Sequence, residues 1–486
     1  MIVMKFGGTS VGSAERYRSV AQLVGSYQEK QPLVVVSAMS GTTDWLLSTA
    51  RAMAEGGRNS ADGLTAERMM ADFHARYQKV VDETITTPEI RSRTFSEVAS
   101  LLHHLLRLLT GIEMLGELSP RSLDAVAAFG EKLSSKVAAA ALQDAGYRAE
   151  AVSAEELIVT DSAFNRALPL MAQTAEKCRT RLLPLLEAGI IPVITGFIGA
   201  TQEGITTTLG RGGSDYSASI IGAALDSGEI WIWTDVNGVM SADPRLVPTA
   251  RSLKRISYAE AGELSHFGAK VIHPMTVMPA VEKNIPLYIK NTFEPAFPGT
   301  RIDRSDQGAE GLVKAIASTR GLALLTVAGS SILAVPGIAA RVFARVSEKN
   351  VNVYMISHAS SGHDLCFVVE KQAAQPLVQS LHREFELEVA RKEIESIIAD
   401  TEVTIIAVVG AGMRGTPGVS GRIFSTLGQK SINVIAIAQG SSELNVSLIV
   451  AATDERAAVQ AIHDEFLSFT GLGRSMRHRV AEIGAK

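Results

Sequence analysis

The sequence predicts an α/β fold with a mostly parallel central sheet, followed by two smaller α+β modules of the βαββαβ type. Three largely apolar runs, at residues 2–6, 33–36 and 190–195, have the composition of strands that are buried on both faces of a parallel sheet. Each run leads into a turn rich in small or hydroxylated residues, and helical patterns lie between the runs. Beyond about residue 300 the pattern changes to an internal repeat.

Length and composition describe a globular protein of several domains. The chain has 486 residues, of which 46% are hydrophobic and 20% are charged, and this length suggests about two to four domains. The formal net charge of -4 offers no basic field for nucleic acid, so no nucleic-acid partner is expected. Only Cys178 and Cys366 are present, which favours a reducing compartment and neither a disulfide framework nor a metal cluster.

Neither the N-terminus nor an uncharged internal stretch indicates export or membrane insertion. The opening residues, MIVMKFGG, lack the charged and long apolar regions of a signal peptide, so we expect a cytoplasmic protein. Residues 321–340 carry no charge and have about the length of a membrane span. The pair Pro336-Gly337 and several other Gly and Ser residues interrupt this stretch, which favours a strand, a turn and a helix start. No membrane partner is therefore expected.

The first strand ends in a turn that suits a phosphate group. Lys5 lies one residue before the strand end, and Gly7-Gly8 lead to a helix that Ser13 is placed to cap. Free backbone NH groups at such a turn attract anions, and the lysine adds a positive charge beside them. The alternative is a lysine at the strand edge that is simply exposed to water.

The second turn is rich in hydroxyl groups and runs from Ser37 through Thr43 to Asp44. Because parallel strands present ligands at their carboxyl ends, two such turns favour one shared crevice. The Walker sequence of P-loop enzymes does not occur. Residues 45–120 are predicted to be mostly helical, and a later helix begins near Glu131. This acid either favours the helix macrodipole or binds a substrate ammonium group.

The most informative turn lies at residues 206–218 and reads TTTLGRGGSDYSA. The pattern predicts a strand end, a glycine turn and a helix start, where the backbone can approach an anion closely. Arg211 adds a planar fork of donors that suits a carboxylate or a phosphate. We therefore expect an acidic ligand. The alternative is a surface loop with one solvated arginine, in which Ser214-Asp215 is an ordinary N-cap pair.

Two further segments suggest contacts with a nucleotide. The strand at 230–233 ends in Thr234-Asp235, and Arg245 lies in the same loop. Such side chains at the carboxyl end of a strand suit hydrogen bonds to a nucleotide, with a plain turn as the alternative. Lys270 follows the next predicted helix and brings a second lysine to this region of the sequence.

The last third of the chain contains two similar copies of one pattern. Pro336-Gly337 recurs 81 residues later as Pro417-Gly418. Each copy combines an apolar strand, a helix start, a helix and further strands, which fits a βαββαβ module. Residues 410–415 read GAGMRG, a formal dinucleotide fingerprint. No acid lies near position 430, where a ribose contact would fall, so the repeat is the better explanation.

Together these motifs resemble the aspartate kinases over nearly the whole chain. The resemblance rests on residues 5–11, 37–44, 129–134, 196–199, 206–218, 233–235 and 267–270. It implies an amino-acid kinase three-layer sandwich with a mostly parallel central sheet at 1–300, followed by ACT modules at 310–395 and 400–475. It also implies transfer of the γ-phosphoryl group of ATP to the β-carboxylate of L-aspartate, giving 4-phospho-L-aspartate. That reaction is the first step towards lysine, threonine and methionine.

The resemblance also implies roles for individual residues. Arg211 would bind the α-carboxylate of aspartate and Glu131 its ammonium group, while Lys5, oriented by Asp215, would neutralise the transferring phosphoryl group. The other implied substrate contacts are Ser37, Thr43, Gly212, Gly213 and Ser214. The implied nucleotide contacts are Gly7, Gly8, Thr234, Asp235, Arg245 and Lys270. The implied cofactor is ATP with Mg2+, which phosphate oxygens would carry without metal-ligating side chains.

The regulatory half most resembles that of the bifunctional aspartokinase-homoserine dehydrogenases, and the sequence ends about where a dehydrogenase would begin, so no dehydrogenase activity is expected. Threonine-responsive relatives have glutamine at two positions; here Gln439 is kept and His358 replaces the other. Lysine-sensing relatives have an acid where Tyr354 stands. The resemblance thus implies an amino-acid effector at the ACT pair, with threonine favoured, and a homo-oligomer.

Two alternatives stay open. One is a kinase of the same class that phosphorylates glutamate, acetylglutamate or a nucleotide. The other is an amino-acid-binding sensor whose kinase half is inactive. The joint presence of Lys5, Glu131, Arg211, Asp215 and Lys270 argues against the sensor.

Overall fold

The computed structural model describes residues 1–56, 65–268, 272, 274–304, 311–329, 337–358 and 364–467. The chain divides into two compact units, and the described residues give each its own apolar core. The first unit comprises residues 1–239 and 272–304. The second comprises residues 240–271 and 305–486.

Among the described residues, the first unit contains a run of five successive helices between its second and third strands. The helices are α1 (Ala14–Gly25), α2 (Thr42–Gly56), α3 (Ala66–Thr84), α4 (Pro88–Leu115), α5 (Pro120–Ala127), α6 (Phe129–Asp144), α7 (Met171–Glu187), α8 (Gly213–Ala224), α9 (Tyr258–His266), α10 (Pro274–Glu282), α11 (Ile338–Glu348), α12 (Lys371–Glu384), α13 (Glu386–Ala390), α14 (Val419–Gln429) and α15 (Glu455–Phe466). The strands are β1 (Ile2–Phe6), β2 (Pro32–Val36), β3 (Ala149–Val152), β4 (Val159–Thr160), β5 (Ile191–Thr195), β6 (Ile198–Thr201), β7 (Thr206–Thr208), β8 (Glu229–Thr234), β9 (Arg255–Ser257), β10 (Leu287–Asn291), β11 (Thr300–Asp303), β12 (Ala315–Ala328), β13 (Met355–His358), β14 (Asp364–Glu370), β15 (Ser396–Val409), β16 (Ala436–Gln439) and β17 (Asn445–Ala451).

The first unit is built on a mostly parallel sheet, as the sequence predicts. Its strands follow the order β3-β5-β2-β1-β8-β10-β11. Neighbours in this series run parallel except β10 and β11, which are antiparallel. Every residue of β1 and β2 is buried, which explains their apolar composition. A smaller sheet of β4, β6 and β7 leads the chain to Arg211.

The position of Lys5 within β1 determines the face of the sheet to which its side chain points. Its neighbours Met4 and Phe6 belong to the core that packs with α1, α3, α4 and α6. Successive side chains of a strand point to opposite faces, so Lys5 points to the other face, where it pairs with Asp215 of α8. Ser13 caps α1 through a hydrogen bond that its hydroxyl accepts from the Arg16 NH, which confirms the predicted helix start.

One helix of the described residues, α4, is long and apolar enough to cross a membrane by length and composition alone. A stripe of its side chains is buried in the core of the first unit: Val98, Leu102, Leu105, Leu109 and Ile112. This spacing is that of an amphipathic helix that packs against neighbouring helices. Packing within the unit therefore accounts for the apolar character of this face.

The second unit contains a six-stranded antiparallel sheet in the order β13-β14-β12-β15-β17-β16. Side chains of α11 and α12 pack on one half of it, and those of α14 and α15 on the other half. Both α11 and α14 begin after a glycine, Gly337 or Gly418, with φ angles of 95° and 85°. Only glycine adopts these angles without strain, so the predicted repeat of helix starts is confirmed.

The two halves of this sheet share one long strand. Residues 322–328 of β12 pair with β14 in the first half, whereas residues 315–319 pair with residues 405–409 of β15 in the second half. The place that a last strand of the second copy would take is therefore filled by residues that precede the first copy. The predicted boundaries 1–300, 310–395 and 400–475 stay predictions.

Close packing explains two glycines of the GAGMRG segment. A Cβ atom at Gly410 would lie 2.4 Å from the carbonyl oxygen of Leu312, and one at Gly412 would lie 2.5 Å from that of Gly311. A side chain at either position would collide with this backbone, so glycine is required. The dinucleotide fingerprint is thus accounted for by packing within the second unit.

Residues 240–268 belong to the second unit although they interrupt the first in sequence. Helix α9 begins at a capping box formed by Ser257 and Glu260. Glu260 is fully buried, and its carboxylate accepts hydrogen bonds from Lys314 Nζ at 2.9 Å and from the Ala411 NH at 2.7 Å. These donors compensate the buried charge and tie α9 to the start of β12 and to the turn after β15.

Candidate active site

A cavity of about 750 Å³ lies at the carboxyl ends of β1 and β2 in the first unit. The turn between β7 and α8 forms another part of its wall. The predicted site residues that line it are Lys5, Gly8, Ser37, Thr43, Glu131, Arg211, Gly212, Gly213, Ser214 and Asp215. The turns that the sequence singles out therefore converge on one cavity, as expected for the carboxyl ends of neighbouring parallel strands.

Lys5 and Asp215 form an ion pair at the wall of this cavity. Lys5 is 9% exposed and lies between Val35 and Ile232 of the flanking strands. Its Nζ atom is 2.7 Å from Asp215 Oδ1 in the first turn of α8. A carboxylate at that position also interacts favourably with the helix macrodipole. The position of Lys5 inside a buried strand and its ion pair with Asp215 therefore hold the ammonium group in place.

Glu131 lies in the first turn of α6 and is 3% exposed. Its Oε1 atom accepts a hydrogen bond from the Ala38 NH at 3.0 Å, whereas its Oε2 atom is buried and has no partner among the described residues. Burial raises the pKa of Glu131 to about 8, although the backbone NH groups and the charge of Lys5 oppose this rise. An unpartnered buried carboxylate oxygen at a cavity wall favours binding of a cation over a role in capping alone.

The Arg211 turn depends on its glycines. Gly210 and Gly212 have φ angles of 75° and 73°, and a Cβ at Gly213 would lie 2.6 Å from the ring of Phe197. Arg211 itself is exposed, and none of the hydrogen bonds or ion pairs within the described chain engages its side chain. The guanidinium group is thus available to a carboxylate or phosphate in the cavity.

The two glycines after β1 differ in what they can offer a ligand. Gly8 lines the cavity, and a Cβ there would lie 2.9 Å from the Ala38 carbonyl oxygen, so a glycine is needed. The Gly7 NH already donates to the Trp233 carbonyl at 3.2 Å. In this structure the turn uses the Gly7 NH to join β1 to β8, and the expected contact between Gly7 and a phosphate stays a prediction.

The predicted nucleotide contacts do not all meet at this cavity. Thr234 ends β8, which pairs with β1, and Asp235 follows it, but neither residue lines the cavity. Arg245 lies in the second unit, where its exposed side chain forms an ion pair with Asp243. Lys270 lies outside the described residues. The nucleotide roles of these four predicted residues thus stay predictions.

Of the two predicted effector contacts, Gln439 lines a separate cavity in the second unit, of about 120 Å³. The first turn of α14 and Glu443 form other parts of its wall. His358 is exposed at the end of β13 and does not line this cavity. The structure therefore does not bring the two predicted effector residues together at that cavity.

Sequence reasoning missed a buried acid in the wall of the main cavity. Asp124 on α5 is 1% exposed. It accepts hydrogen bonds from the Thr208 hydroxyl at 2.6 Å, the Thr208 NH at 3.0 Å and the Asn165 NH at 2.9 Å. Burial raises the pKa of Asp124, and these hydrogen bonds oppose the rise. No local motif marks this residue, because its donors come from segments about 40 and 84 residues away.

Arg51 and Asp44 on α2 also line the cavity. They lie seven residues apart, which places them on one face of the helix with Leu47 between them. Arg51 could have been identified from the sequence, because it lies two helical turns after Asp44 in the turn that the sequence already singled out. Together with Lys5 and Arg211, it makes three cationic side chains around one cavity.

The lining residues equip the cavity to bind anions and to hold one ammonium group. None of its lining residues is His or Cys. Across the described ranges, no group of three or more His, Cys, Asp or Glu side chains could hold a metal ion. Such a site can position two acidic reactants and neutralise their charges.

Comparison with known proteins agrees with this geometry. The profile of the amino acid kinase family matches residues 1–291, and that of the ACT domain matches residues 325–385 and 406–466. The chain is 35% identical over 474 residues to a chloroplastic bifunctional aspartokinase/homoserine dehydrogenase of Daucus carota, and 34% identical over 469 residues to chloroplastic aspartokinase 3 of Arabidopsis thaliana. Both matches cover 96% of this chain, but 50% of the carrot protein and 81% of the Arabidopsis protein. The chain thus spans about half the length of its bifunctional relatives.

Solved structures give the same result. The structure of E. coli aspartokinase III with lysine and aspartate, in the T-state, has a TM-score of 0.80 and 28% identity, and the match covers 96% of this chain and 100% of that chain. The structure of the same protein with aspartate and ADP, in the R-state, has a TM-score of 0.77 and covers 96% and 99%.

Proposed function

We propose that this chain, which belongs to the amino acid kinase family and to its aspartokinase branch, transfers the γ-phosphoryl group of ATP to the β-carboxylate of L-aspartate. The product would be 4-phospho-L-aspartate. The observation that supports this most is that Glu131, whose Oε2 atom has no partner among the described residues, lines the same cavity as Arg211 and the Lys5–Asp215 pair. An amino acid with two carboxylates carries the complementary charges.

Each charged group of aspartate has a counterpart in the cavity. The ammonium group would pair with Glu131 and the α-carboxylate with Arg211, which leaves the β-carboxylate for the side of Lys5. The hydroxyls of Ser37 and Thr43 and the backbone at the start of α8 complete the lining. The ligands named for E. coli aspartokinase III, aspartate and ADP, agree with this assignment.

The proposed reaction needs no general base. The β-carboxylate is ionised at neutral pH, so it can attack the γ-phosphorus without losing a proton. Catalysis then depends on in-line positioning and on neutralising charge on the transferring group. Lys5 is fixed by Asp215 at 2.7 Å before any ligand arrives, which is the preorganisation that such a reaction requires.

Mg2+ fits this arrangement as a companion of the nucleotide. Since the described residues provide no three-ligand metal group, the ion would bind mainly through phosphate oxygens, as Mg2+ commonly does with nucleotides. It would supply further neutralisation of phosphate charge. Protein residues would be left to position the acidic substrate.

Turnover of ATP with separate acidic substrates tests the proposal. The purified protein with Mg2+ and ATP is given aspartate, glutamate or acetylglutamate, and ADP release is coupled to a spectroscopic readout. Hydroxylamine trapping then detects an acyl phosphate. Aspartate-dependent ADP release with a trapped hydroxamate is expected. Release with glutamate or acetylglutamate alone would move the chain to another substrate, and no turnover with any acid would support the sensor with an inactive kinase half.

We also propose that a small amino acid, with threonine favoured over lysine, binds the second unit as an effector. The NH groups in the first turn of α14 would meet its carboxylate, and Gln439 and Glu443 line the same cavity. Isothermal titration with threonine and lysine in parallel tests this. Binding of lysine but not threonine would overturn the choice of threonine.

We further propose that the protein is a homo-oligomer. Ile356 on β13 and Ile437 on β16 are about half exposed, and β13 and β16 lie close enough for the Ser357 hydroxyl to donate to the Ile437 carbonyl. Exposed apolar side chains that lie close together commonly mark an interaction surface. Light scattering after size exclusion tests the assembly; a monomer at all concentrations would contradict it. Cytoplasmic location stays a prediction that cell fractionation would test.

A further inference from the structure

We propose that Asp124 is the positioning residue that sets the Arg211 turn for recognition of the acidic substrate. The inference rests on the proposed function, because it concerns how the substrate-binding guanidinium is held. Asp124 does not need to touch the substrate in this role. Its carboxylate acts through the backbone that carries Arg211.

The carboxylate of Asp124 joins two segments that are distant in sequence. Oδ1 accepts from the Thr208 hydroxyl at 2.6 Å, and Oδ2 accepts from the Thr208 NH at 3.0 Å and from the Asn165 NH at 2.9 Å. Asp124 is 1% exposed, so these bonds form away from bulk water. A neutral apolar side chain here would leave the buried NH of Thr208 and the part-buried NH of Asn165 without an acceptor.

Both segments support the corner that precedes Arg211. Thr208 ends β7 only three residues before Arg211, and its carbonyl accepts from the Ala167 NH at 2.9 Å. The Asn165 carbonyl oxygen lies 3.1 Å from the position of a Cβ at Gly210. The Asp124 carboxylate thus links the two segments that contact the Arg211 turn at Gly210.

Arg211 depends on that corner for its direction. Within the described chain its guanidinium has no ion pair or hydrogen bond of its own, and the side chain is exposed. The backbone of the turn therefore sets where the Arg211 side chain begins and which part of the cavity its guanidinium can reach. A shift of about 1 Å in a binding group is enough to weaken a bidentate contact.

Asp144 provides a matched control within the same unit. Its carboxylate accepts from the Thr86 NH at 3.0 Å, the Thr86 hydroxyl at 2.9 Å and the Thr87 NH at 2.8 Å. The donor set is therefore the same as that of Asp124: two backbone NH groups and one threonine hydroxyl. Asp144 is less buried than Asp124 and does not line the cavity, so its loss tests the effect of losing such a network away from the cavity.

Steady-state kinetics of the full chain separate positioning from mere stabilisation. Asp124→Ala, Asp124→Asn and Asp144→Ala are compared with wild type for kcat, for the KM of aspartate and for the KM of ATP. Asp124→Ala should raise the aspartate KM on the order of tenfold or more with kcat and the ATP KM little changed, because a contact made equally in the ground and transition states is lost. Asp124→Asn keeps an acceptor for the NH groups and should recover much of the affinity, and Asp144→Ala should keep the wild-type KM.

The outcomes are distinguishable. An unchanged aspartate KM in both Asp124 variants, or an equal rise in Asp144→Ala, would overturn the inference while leaving the proposed function intact. A fall of kcat alone, in proportion to the folded fraction, would also overturn it. If Asp124→Ala does not fold, Asp124→Asn decides: the inference then requires a measurable rise in the aspartate KM. No aspartate turnover by wild type would overturn the proposed function and this inference with it.

Discussion

Replacing Glu131 by Gln should remove a loss of stability that the unliganded wild-type protein undergoes as the pH rises. The pKa of the buried carboxyl is raised to about 8 from an ordinary value of 4.5, because ionising it without a partner for Oε2 is unfavourable. Between these two values the folded protein keeps a proton that the unfolded chain releases. Wild-type stability therefore falls from about pH 4.5 towards pH 8 and levels off above it.

The size of this effect follows from the two pKa values. Their difference, 8 - 4.5, is about 3.5, which corresponds to at most about 5 kcal/mol at about 1.4 kcal/mol for each pKa unit. Glutamine cannot ionise, so the free energy of unfolding of Glu131→Gln relative to wild type should rise by up to about 1.4 kcal/mol for each pH unit between 5 and 8. Urea unfolding of both proteins without ligands at pH 5, 6, 7 and 8 measures this difference.

Glu155 provides the control. Burial is outweighed there by the charge of Lys132, which lies 2.9 Å away, and by hydrogen bonds, so the pKa of Glu155 is lowered. Its contribution is present above the unfolded pKa and is lost only as the pH falls, so Glu155→Gln should show no rising advantage between pH 5 and 8. If the difference in unfolding free energy between wild type and Glu131→Gln stays constant from pH 5 to 8, the reasoning about a buried, uncompensated carboxyl is refuted.

Three further changes test other parts of the structure. Lys5→Ala should leave the fold intact and lower kcat about 10²-fold or more in the coupled ADP assay, since a preorganised charge is lost; near-normal turnover would contradict the role of the pair with Asp215. Gly8→Ala places a Cβ 2.9 Å from a backbone carbonyl oxygen and should therefore shift the turn and raise the ATP KM, with an unchanged KM as the contrary result. Lys314→Met removes the cation that pairs with the buried carboxylate of Glu260, so the free energy of unfolding should fall by about 3–5 kcal/mol. The double variant Lys314→Met with Glu260→Gln should lose less stability, and an equal loss in both variants would argue against an ion-pair effect.

Local patterns predicted the parts of the fold that local physics determines. The strand at residues 2–6, the cap at Ser13 and the helix starts after Gly337 and Gly418 all follow from side-chain type and spacing. The convergence of the glycine turns was predictable too, because parallel strands place their carboxyl ends at one edge. Residue type and strand order together were enough to place Lys5 and Arg211 at one cavity.

Long-range pairing was beyond the reach of those patterns. The sequence at 315–319 does not indicate that this segment pairs with residues 405–409. Another buried strand could form the same backbone hydrogen bonds, so the partner cannot be read from the segment itself. For the same reason the Gly7 NH could be expected to face a ligand, although it donates to the Trp233 carbonyl. Asp124 was missed because its three donors become neighbours only after folding.

The carboxylates of this cavity differ in how their charges are compensated, and that difference assigns their roles. Asp215 has a cation at 2.7 Å and Asp124 has three donors, so both charges are compensated before a substrate arrives. Asp215 Oδ1 and Glu131 Oε2 are both buried without a hydrogen bond in the described structure, but Asp215 Oδ1 has the ion pair with Lys5 and Glu131 Oε2 has none. A buried carboxyl group in this state can ionise when an ammonium group binds beside it, because the cation compensates the new negative charge and lowers the pKa that burial had raised. The ammonium group of the substrate would therefore be selected by the incomplete compensation of Glu131. Asp215 would hold Lys5, and Asp124 would support the backbone that carries Arg211, beside the substrate's carboxylates.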